Sequence, residues 1–426
     1  MMPHPPFRFL HASDFHLEQP LSGITEVPDH LRELFLEAPY LAAGRVFEAA
    51  ILEGVAFVVL AGDILQPLMA GPRGLLFLCE QFEKLAAKGI DVYWCGGDID
   101  RPDDWPSALS LPANVHIFPR GRVDEYLVQI DGVPAARVLG TSREQGQPIR
   151  TGEFRPDATG LFTIAVAFGE ADPAMQTRGI HYWALGGRHE RTTASRDVLV
   201  PASANRDTSL PSVHYSGTTQ GRHFAESGVH GCTLVQVDEQ NQVRTSLIPC
   251  DAARWLTERI VIENTTNRAD LETLFRNRLQ LLREASPKMN LLASWTVAGE
   301  GDLMHELHHG RLASELLEGL RGEFGFNSPV VWSISLETDH AEVFPPEWYE
   351  QETIRGDFLR AIEHLRMNHE ESLGIEDYLP ESYRAGMLGG VAMIDEKSLR
   401  RQMLDEAARL GVELLGGDQE NRKDAE

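Results

Sequence analysis

Three short apolar runs punctuate the first hundred residues, FRFLHAS, FVVLAGD and DVYWCGG, and each stops at a small or acidic residue. Between them, APYLAAGRVFEAAILEG and RGLLFLCEQFEKLAAKG repeat apolar residues at helical spacing, the second closed by glycine. This βαβαβ alternation admits few folds. It predicts a largely parallel sheet with helices on its faces, and in such sheets the ligand crevice lies beyond the carboxyl ends of the strands.

From about residue 114 to 250 the chain turns strand-rich, with VHIF, EYLVQI, ARVLG, FTIAVAF, HYWALGG, SVHYSG and CTLVQVD separated by turn residues. The fold class read from these segments is α/β, a two-layered β-sandwich flanked by helices. A small α/β unit occupies about Trp255 to Glu342: strand RIVIE, helix ADLETLFRNRLQLLREA, strand LLASWTVAG, helix LASELLEGLRGEF, strand VVWSISLE. FPPEW reads as a linker. Beyond it Ile354, Phe358, Ile362 and Leu365 recur at helical spacing, as do the apolar residues of SLRRQMLDEAARLGVELL. Such faces need a covering surface, from the chain itself or from another protein. The expected division is 1–250, 251–345, a helical docking region 346–415 and a solvated tail 416–426.

The residues just past the strands carry the chemistry. The first strand ends in Ser13-Asp14-Phe15-His16, the second in Gly62-Asp63, the third in Gly97-Asp98-Ile99-Asp100, and a later one in Gly186-Gly187-Arg188-His189. Carboxylates and imidazoles gathered at one sheet edge suit a borderline divalent ion such as manganese, iron or zinc. Taken singly, an Asp-x-His is a turn cap with a surface histidine, and a Gly-Asp is a helix cap. Their order and strand context are what give them weight.

In that order they resemble the calcineurin-like metallophosphoesterase superfamily, whose motifs run Asp-x-His, Gly-Asp, Gly-Asn-His-Asp or Glu, a later His, and Gly-His-x-His. Within it the chain is similar to the SbcD-type DNA-repair exonucleases and their YhaO-like branch, through HASDFHLEQPL, LAGDIL, YWALGGRHERT and HYSGTTQGRHFAESGVHGCTLVQVD. The resemblance implies a metallophosphoesterase sandwich over residues 7–250, a small cap-like domain after it, and C-terminal helices that dock on an SbcC-like coiled-coil ATPase. It also implies that Asp14, His16, Asp63 and His189 hold a first metal, with Asp63 bridging to a second. The remaining second-metal positions correspond to Asp98, Phe168 and Gly187, and neither a phenyl ring nor a glycine coordinates. Ile99 stands where the family has its catalytic histidine, so no catalytic residue carries over. A carboxylate-based second site would draw on Asp98, Asp100 or Glu170. Arg188, beside the vacated position, reads as an exposed arginine or as a charge for a bound phosphate.

Two-metal phosphoester cleavage needs both ions, ~3.5–4 Å apart, on the attacking and leaving oxygens. A positioned acid adds roughly 10²- to 10⁴-fold. The sequence therefore predicts a degenerate nuclease subunit, weakly active or non-catalytic, that binds one divalent ion, manganese foremost. The alternative is an active phosphodiesterase or exonuclease with a single metal or a carboxylate-rescued second site.

The formal charge of -25 repels phosphate backbones, so DNA is expected to reach this chain through its partner. Cys79, Cys95, Cys232 and Cys250 show no CxxC spacing and read as reduced thiols. With no long apolar window either, a cytoplasmic protein is expected. His305-Glu306-Leu307-His308-His309 matches HExxH formally, but with Gly310 next and no third ligand it reads as a polar surface turn. His11, His181 and His214 read as hydrogen-bonded structural histidines, and Ser216-Gly217-Thr218 as a tight turn.

Overall fold

The three opening apolar runs form β1 (Phe7–Ala12), β2 (Phe57–Ala61) and β3 (Asp91–Cys95), side by side and parallel, in the computed structural model. The structure describes residues 5–24, 26–156, 160–176, 179–195, 198–201, 212–299, 301–309, 311–339, 344, 346–368, 373 and 397–416. Addition of β4 (Val115–Ile117), β12 (Gly231–Val237) and β13 (Val243–Pro249) gives a six-stranded mixed sheet in the order β13-β12-β1-β2-β3-β4. A second mixed sheet comprises β5 (Asp124–Ile130), β6 (Val133–Gly140), β7 (Phe162–Phe168), β8 (Tyr182–Gly186), β9 (Thr192–Ser195), β10 (Val198–Pro201) and β11 (Ser212–Tyr215). Its order is β10-β9-β11-β8-β7-β6-β5.

Strand side chains alternate between faces, and where both faces are covered, as for β1, β2, β3, β7 and β8, the strands are mostly apolar. Phe9, Phe57, Val59 and Tyr93 of the first sheet meet Val138, Phe162, Ile164 and Tyr182 of the second in one buried cluster. The Phe9 and Phe57 rings stack at 4.9 Å, and Tyr182 meets Phe9 edge-on at 5.4 Å. The intervening residues Leu10, Val58, Leu60 and Trp94 pack outward on Val46 and Phe47 of α1 (Asp29–Leu52) and on Leu78 and Phe82 of α2 (Gly71–Ala86). A sandwich with helices outside it is the architecture the sequence predicts.

Helix α1 starts well before the expected Ala38 because it runs through Pro39. Proline cannot donate to the carbonyl four residues back, which leaves the Phe35 oxygen without its helical partner. That oxygen accepts instead from the Leu21 N–H at 3.0 Å. The helix therefore continues, fastened to the segment before it.

The small sheet contains β14 (Ala253–Ile262), β15 (Asn290–Gly299) and β16 (Val331–Asp339), in that order, with β14 and β15 parallel. Leu271, Phe275 and Leu279, four apart on α3 (Arg268–Ala285), bury against Trp295 on one face, and an Asn267–Asp270 capping box starts the helix. Trp255, Leu292 and Trp332 on the other face join Leu21, Leu31 and Phe35. Through this cluster the small sheet belongs to the same compact unit as the sandwich, Met1–Thr338.

The second unit is Asp339–Glu426. Within the segment FPPEW, Phe344 is buried, its ring stacks with Trp348 at 6.0 Å, and Pro346–Glu350 form a short helix, α6. Helices α7 (Ile354–Met367) and α8 (Lys397–Gly416) pack on one another through Leu359, Ile362, Leu404 and Ala408. Ile354, Met367 and Leu414 stay exposed. Residues 417–426 of the expected tail lie outside the described residues. The HExxH segment lies in a helix, α4 (Asp302–His309), rather than in the expected turn, and α5 (Leu312–Phe324) comes after it. In α4, His308 Nδ1 is bonded to Thr338 Oγ1 at 2.7 Å. Among the described residues no helix is long and apolar enough to cross a membrane.

Candidate metal centre

Asp14 and His16 follow β1, Asp63 follows β2, Asp98 to Asp100 follow β3, Phe168 closes β7 and His189 follows β8. Asp14 (φ 53°), His16 (φ 47°) and Asp63 (φ 53°) all take the left-handed backbone conformation. That conformation costs a side-chain-bearing residue on the order of 1 kcal/mol, and such residues cluster where function demands them. Three hydrogen bonds hold the two loops in place: Asp14 N to Gly62 O at 2.9 Å, His16 N to Asp63 O at 3.1 Å, and Leu17 N to Ile64 O at 3.2 Å.

Ligand atoms of Asp14, His16 and His189 lie within 4.8 Å of one another. Asp14, 1% exposed, accepts from Ser13 Oγ at 2.6 Å and from Gly187 N at 3.1 Å. Burial pushes its pKa up to about 7 although the Ser13 hydroxyl favours the carboxylate. His16 is buried, and among the described residues neither of its ring nitrogens has a hydrogen-bond partner. Burial, and then the Arg222 charge, holds its pKa down at about 3, so the ring is a neutral imidazole. A buried neutral ring with unsatisfied nitrogens, beside a carboxylate and a second imidazole, fits the donor set of a borderline divalent cation.

His189 is set by its neighbours. Its Nδ1 lies 2.6 Å from Glu226 Oε1, the carboxylate–histidine arrangement that fixes a ligand ring. Burial raises the Glu226 pKa, but the His189 contact and the Arg222 N–H outweigh that and bring it to about 2. Arg222 Nη2 lies 3.1 and 3.3 Å from the two nitrogens of the His189 ring. The Ser216-Gly217-Thr218 turn supports the same loop, since Thr218 N donates to His189 O at 3.0 Å and Ser216 Oγ meets Ser13 Oγ at 2.8 Å.

Asp63 divides its carboxylate. Oδ1 accepts from Asp98 N at 2.7 Å and from Ile99 N at 3.1 Å, while Oδ2 lies 3.8 Å from His16 Nε2. Burial raises its pKa to about 6. One oxygen thus anchors the loop after β3 and the other lies near His16, while Asp63 falls outside the set of three whose ligand atoms all lie within 4.8 Å of one another. Gly97 is required there, because a Cβ would collide with Asp63 Oδ1.

The Phe168 ring packs against the glycines at the strand ends. A Cβ on Gly62 would fall 2.5 Å from Phe168 Cδ2, one on Gly97 2.9 Å from the same atom, and one on Gly187 3.2 Å from Phe168 Cζ. The phenyl ring therefore sits wedged among three strand-end glycines. Of the carboxylates considered for rescue, Asp100 is held within the loops and Asp98 and Glu170 each pair with an arginine. Asp100 accepts from Asp63 N (2.9 Å), Gly97 N (2.6 Å), Ile64 N (3.1 Å) and Trp94 Nε1 (2.8 Å), which uses both its oxygens in holding the loops. Asp98 Oδ1 accepts from Arg143 Nε at 2.8 Å, and Glu170 Oε2 from Arg188 at 2.5 Å. Arg188 is thus paired rather than a lone surface charge.

His11 meets Tyr182 Oη at 3.0 Å, His214 lies between the Thr193 and Thr233 hydroxyls at 2.8 and 2.9 Å, and His181 Nδ1 accepts from Thr163 N at 2.9 Å. All three are structural, as expected, and all four cysteines are free and buried. Sequence reasoning missed Glu226, Arg222 and Arg143. For the first two a signal exists, since GRHFAE follows the turn that supports His189 and places them four apart; for Arg143 there is none.

No protein-family model matches the chain. A solved structure, that of a dimetal phosphatase from Danio rerio, aligns over 57% of this chain and 99% of its own with a TM-score of 0.34 and 11% identity. In sequence, the chain is similar to the uncharacterized metallophosphoesterase YhaO of Bacillus subtilis (strain 168), 27% identical over 347 residues that cover 78% of this chain and 81% of that protein.

Proposed function

We propose that this chain is a protein of the metallophosphoesterase family that holds one divalent cation through Asp14, His16, Asp63 and His189, and cleaves phosphoesters weakly or not at all. Manganese is the first choice of ion, with iron or zinc as alternatives. The family reading draws on the likeness to YhaO together with the donors at the strand ends. The observation that carries the single-ion reading is the Phe168 ring, packed where a second ion's ligands would have to stand. When bound, the ion supplies Lewis-acid polarisation of a phosphoryl oxygen. Asp14 and His189 are oriented for it by Ser13, Gly187 and Glu226. Ile99 has no proton to give a leaving group. Metal analysis of the purified chain should give one ion, lost in His16→Ala and His189→Ala; two ions per chain would overturn the reading.

The biological setting proposed is DNA repair, as a degenerate nuclease subunit beside an SbcC-like coiled-coil ATPase that carries the DNA. The exposed Ile354, Met367 and Leu414 on α7 and α8 support a docking role for those helices. Co-purification with such an ATPase should vanish when residues 346–416 are deleted, and persistence would refute the docking role. The second reading, an active single-ion phosphodiesterase, is favoured by the unsatisfied His16 nitrogens. It requires manganese-dependent cleavage of an aryl phosphodiester that disappears in Asp63→Ala.

A further inference from the structure

The Phe168 position is flanked by two guanidinium groups. Arg143 Cζ lies 5.7 Å from the centre of the Phe168 ring, and a Cβ on Gly169, the next residue, would come 2.6 Å from Arg143 Nη1. Arg188 lies between Gly187, which borders the same ring, and the ligand His189. Its Cζ sits 5.3 Å from the centre of the Tyr215 ring, and Tyr215 Oη donates to Gly169 O at 3.0 Å. Both cations therefore border the end of β7, each close in sequence or contact to the metal cluster: Asp98, the partner of Arg143, gives its own N–H to Asp63.

The pairing is lopsided. The Arg143 and Arg188 side chains are 23% and 34% exposed, while those of their partners Asp98 and Glu170 are 49% and 75% exposed. The cations are held in place by aromatic rings and the anions extend toward water. Arg188 Nε is buried and has no hydrogen-bond partner among the described residues. Exposed ion pairs of this kind contribute little to stability, whereas a guanidinium fork binds a phosphate through two parallel charge-assisted bonds.

We propose that Arg143 and Arg188 stand in electrostatically for a second cation and clamp the terminal phosphate of a phosphomonoester beside the ion held by Asp14, His16, Asp63 and His189. Asp98 and Glu170 are the counter-anions that the phosphate displaces. This rests on the single-ion reading above and names the ligand class for the same site.

The test is calorimetric titration of the manganese-loaded full chain with inorganic phosphate, with metal content measured in every sample. Arg143→Ala and Arg188→Ala should each weaken phosphate binding about tenfold or more at unchanged metal content. The lysine variants should retain part of the affinity, since the charge remains and the fork is lost. Glu170→Gln should tighten binding several-fold by removing a competitor. Dimethyl phosphate, a monoanion, should bind at least about tenfold more weakly. Phosphate affinity unmoved in both alanine variants, absent in the metal-loaded wild type, or matched by dimethyl phosphate would overturn the clamp. Two ions per chain would defeat the single-ion reading and with it the stand-in for a second cation, while the arginine variants would still judge the phosphate clamp.

Discussion

Asp14 and His16 stand two residues apart, and burial moves them in opposite directions, to about 7 and about 3. A metal ligand must shed its proton, so near neutrality the competitor for the ion is the proton on Asp14 and not one on His16. Apparent manganese affinity should rise about tenfold per pH unit between about 6 and 7, more steeply below 6 where Asp63 is protonated as well, and flatten above 7, as read by titration across pH. In the metal-free chain the contribution of Asp14 to stability has the opposite sign. Carboxyl groups raised from 3.8 to about 7, as Asp14 and Asp100 are, contribute stability that is complete below 3.8 and is lost as pH rises through 7. His16, held down at about 3, works the other way between pH 3 and 6.5, so the Asp14 contribution is read against the Asp14→Asn variant: in the metal-free state the wild-type melting temperature should fall relative to that variant's as pH rises from 3.8 to 7. Asp100 tests the loop anchors separately. Asp100→Asn places an NH₂ group against backbone N–H donors and should cost about 1–3 kcal/mol in denaturant unfolding.

Elements were legible in the sequence where two buried faces or a helical stripe made the pattern strong. The strands β1, β2, β3, β7 and β8, and hence the places of Asp14, His16, Asp63 and His189, belong to that class. β9 and β13 do not. TTAS and VRTSLIP are short or polar, and pairing with neighbours rather than apolar patterning makes them strands. Pro39 hid the first half of α1, because its cost is offset by a contact from outside the helix. The motif residues could be read one strand end at a time. The partners could not, since Glu226 reaches His189 across 37 residues and Arg143 reaches Asp98 across 45. At this scale Phe168 is as much a part of the sheet edge as of the site. Phe168→Ala should destabilise by about 3 kcal/mol in chemical denaturation, because its glycine neighbours have no side chains to refill the space. It should not by itself add an ion, because alanine brings no donor.

For the whole molecule, the candidate metal centre lies entirely in the first unit, Met1–Thr338. A chain ending after Thr338 is expected to keep its ion at unchanged affinity while losing any docking role of α7 and α8, which equilibrium dialysis with manganese checks. Distance along the chain also counts for less than the hydrogen bonds suggest at first. The Leu21 N–H that satisfies the Phe35 carbonyl is followed by the Ser22 N–H, which donates to the carbonyl of Arg222 at 2.7 Å. Arg222 in turn touches His189. Pro39, on a helix outside the sandwich, thereby leashes the segment that steadies an arginine at the crevice. Restoring the missing donor with Pro39→Ala should let the helix reclaim its own oxygen, slacken that leash, and speed amide exchange at Leu21 and Ser22.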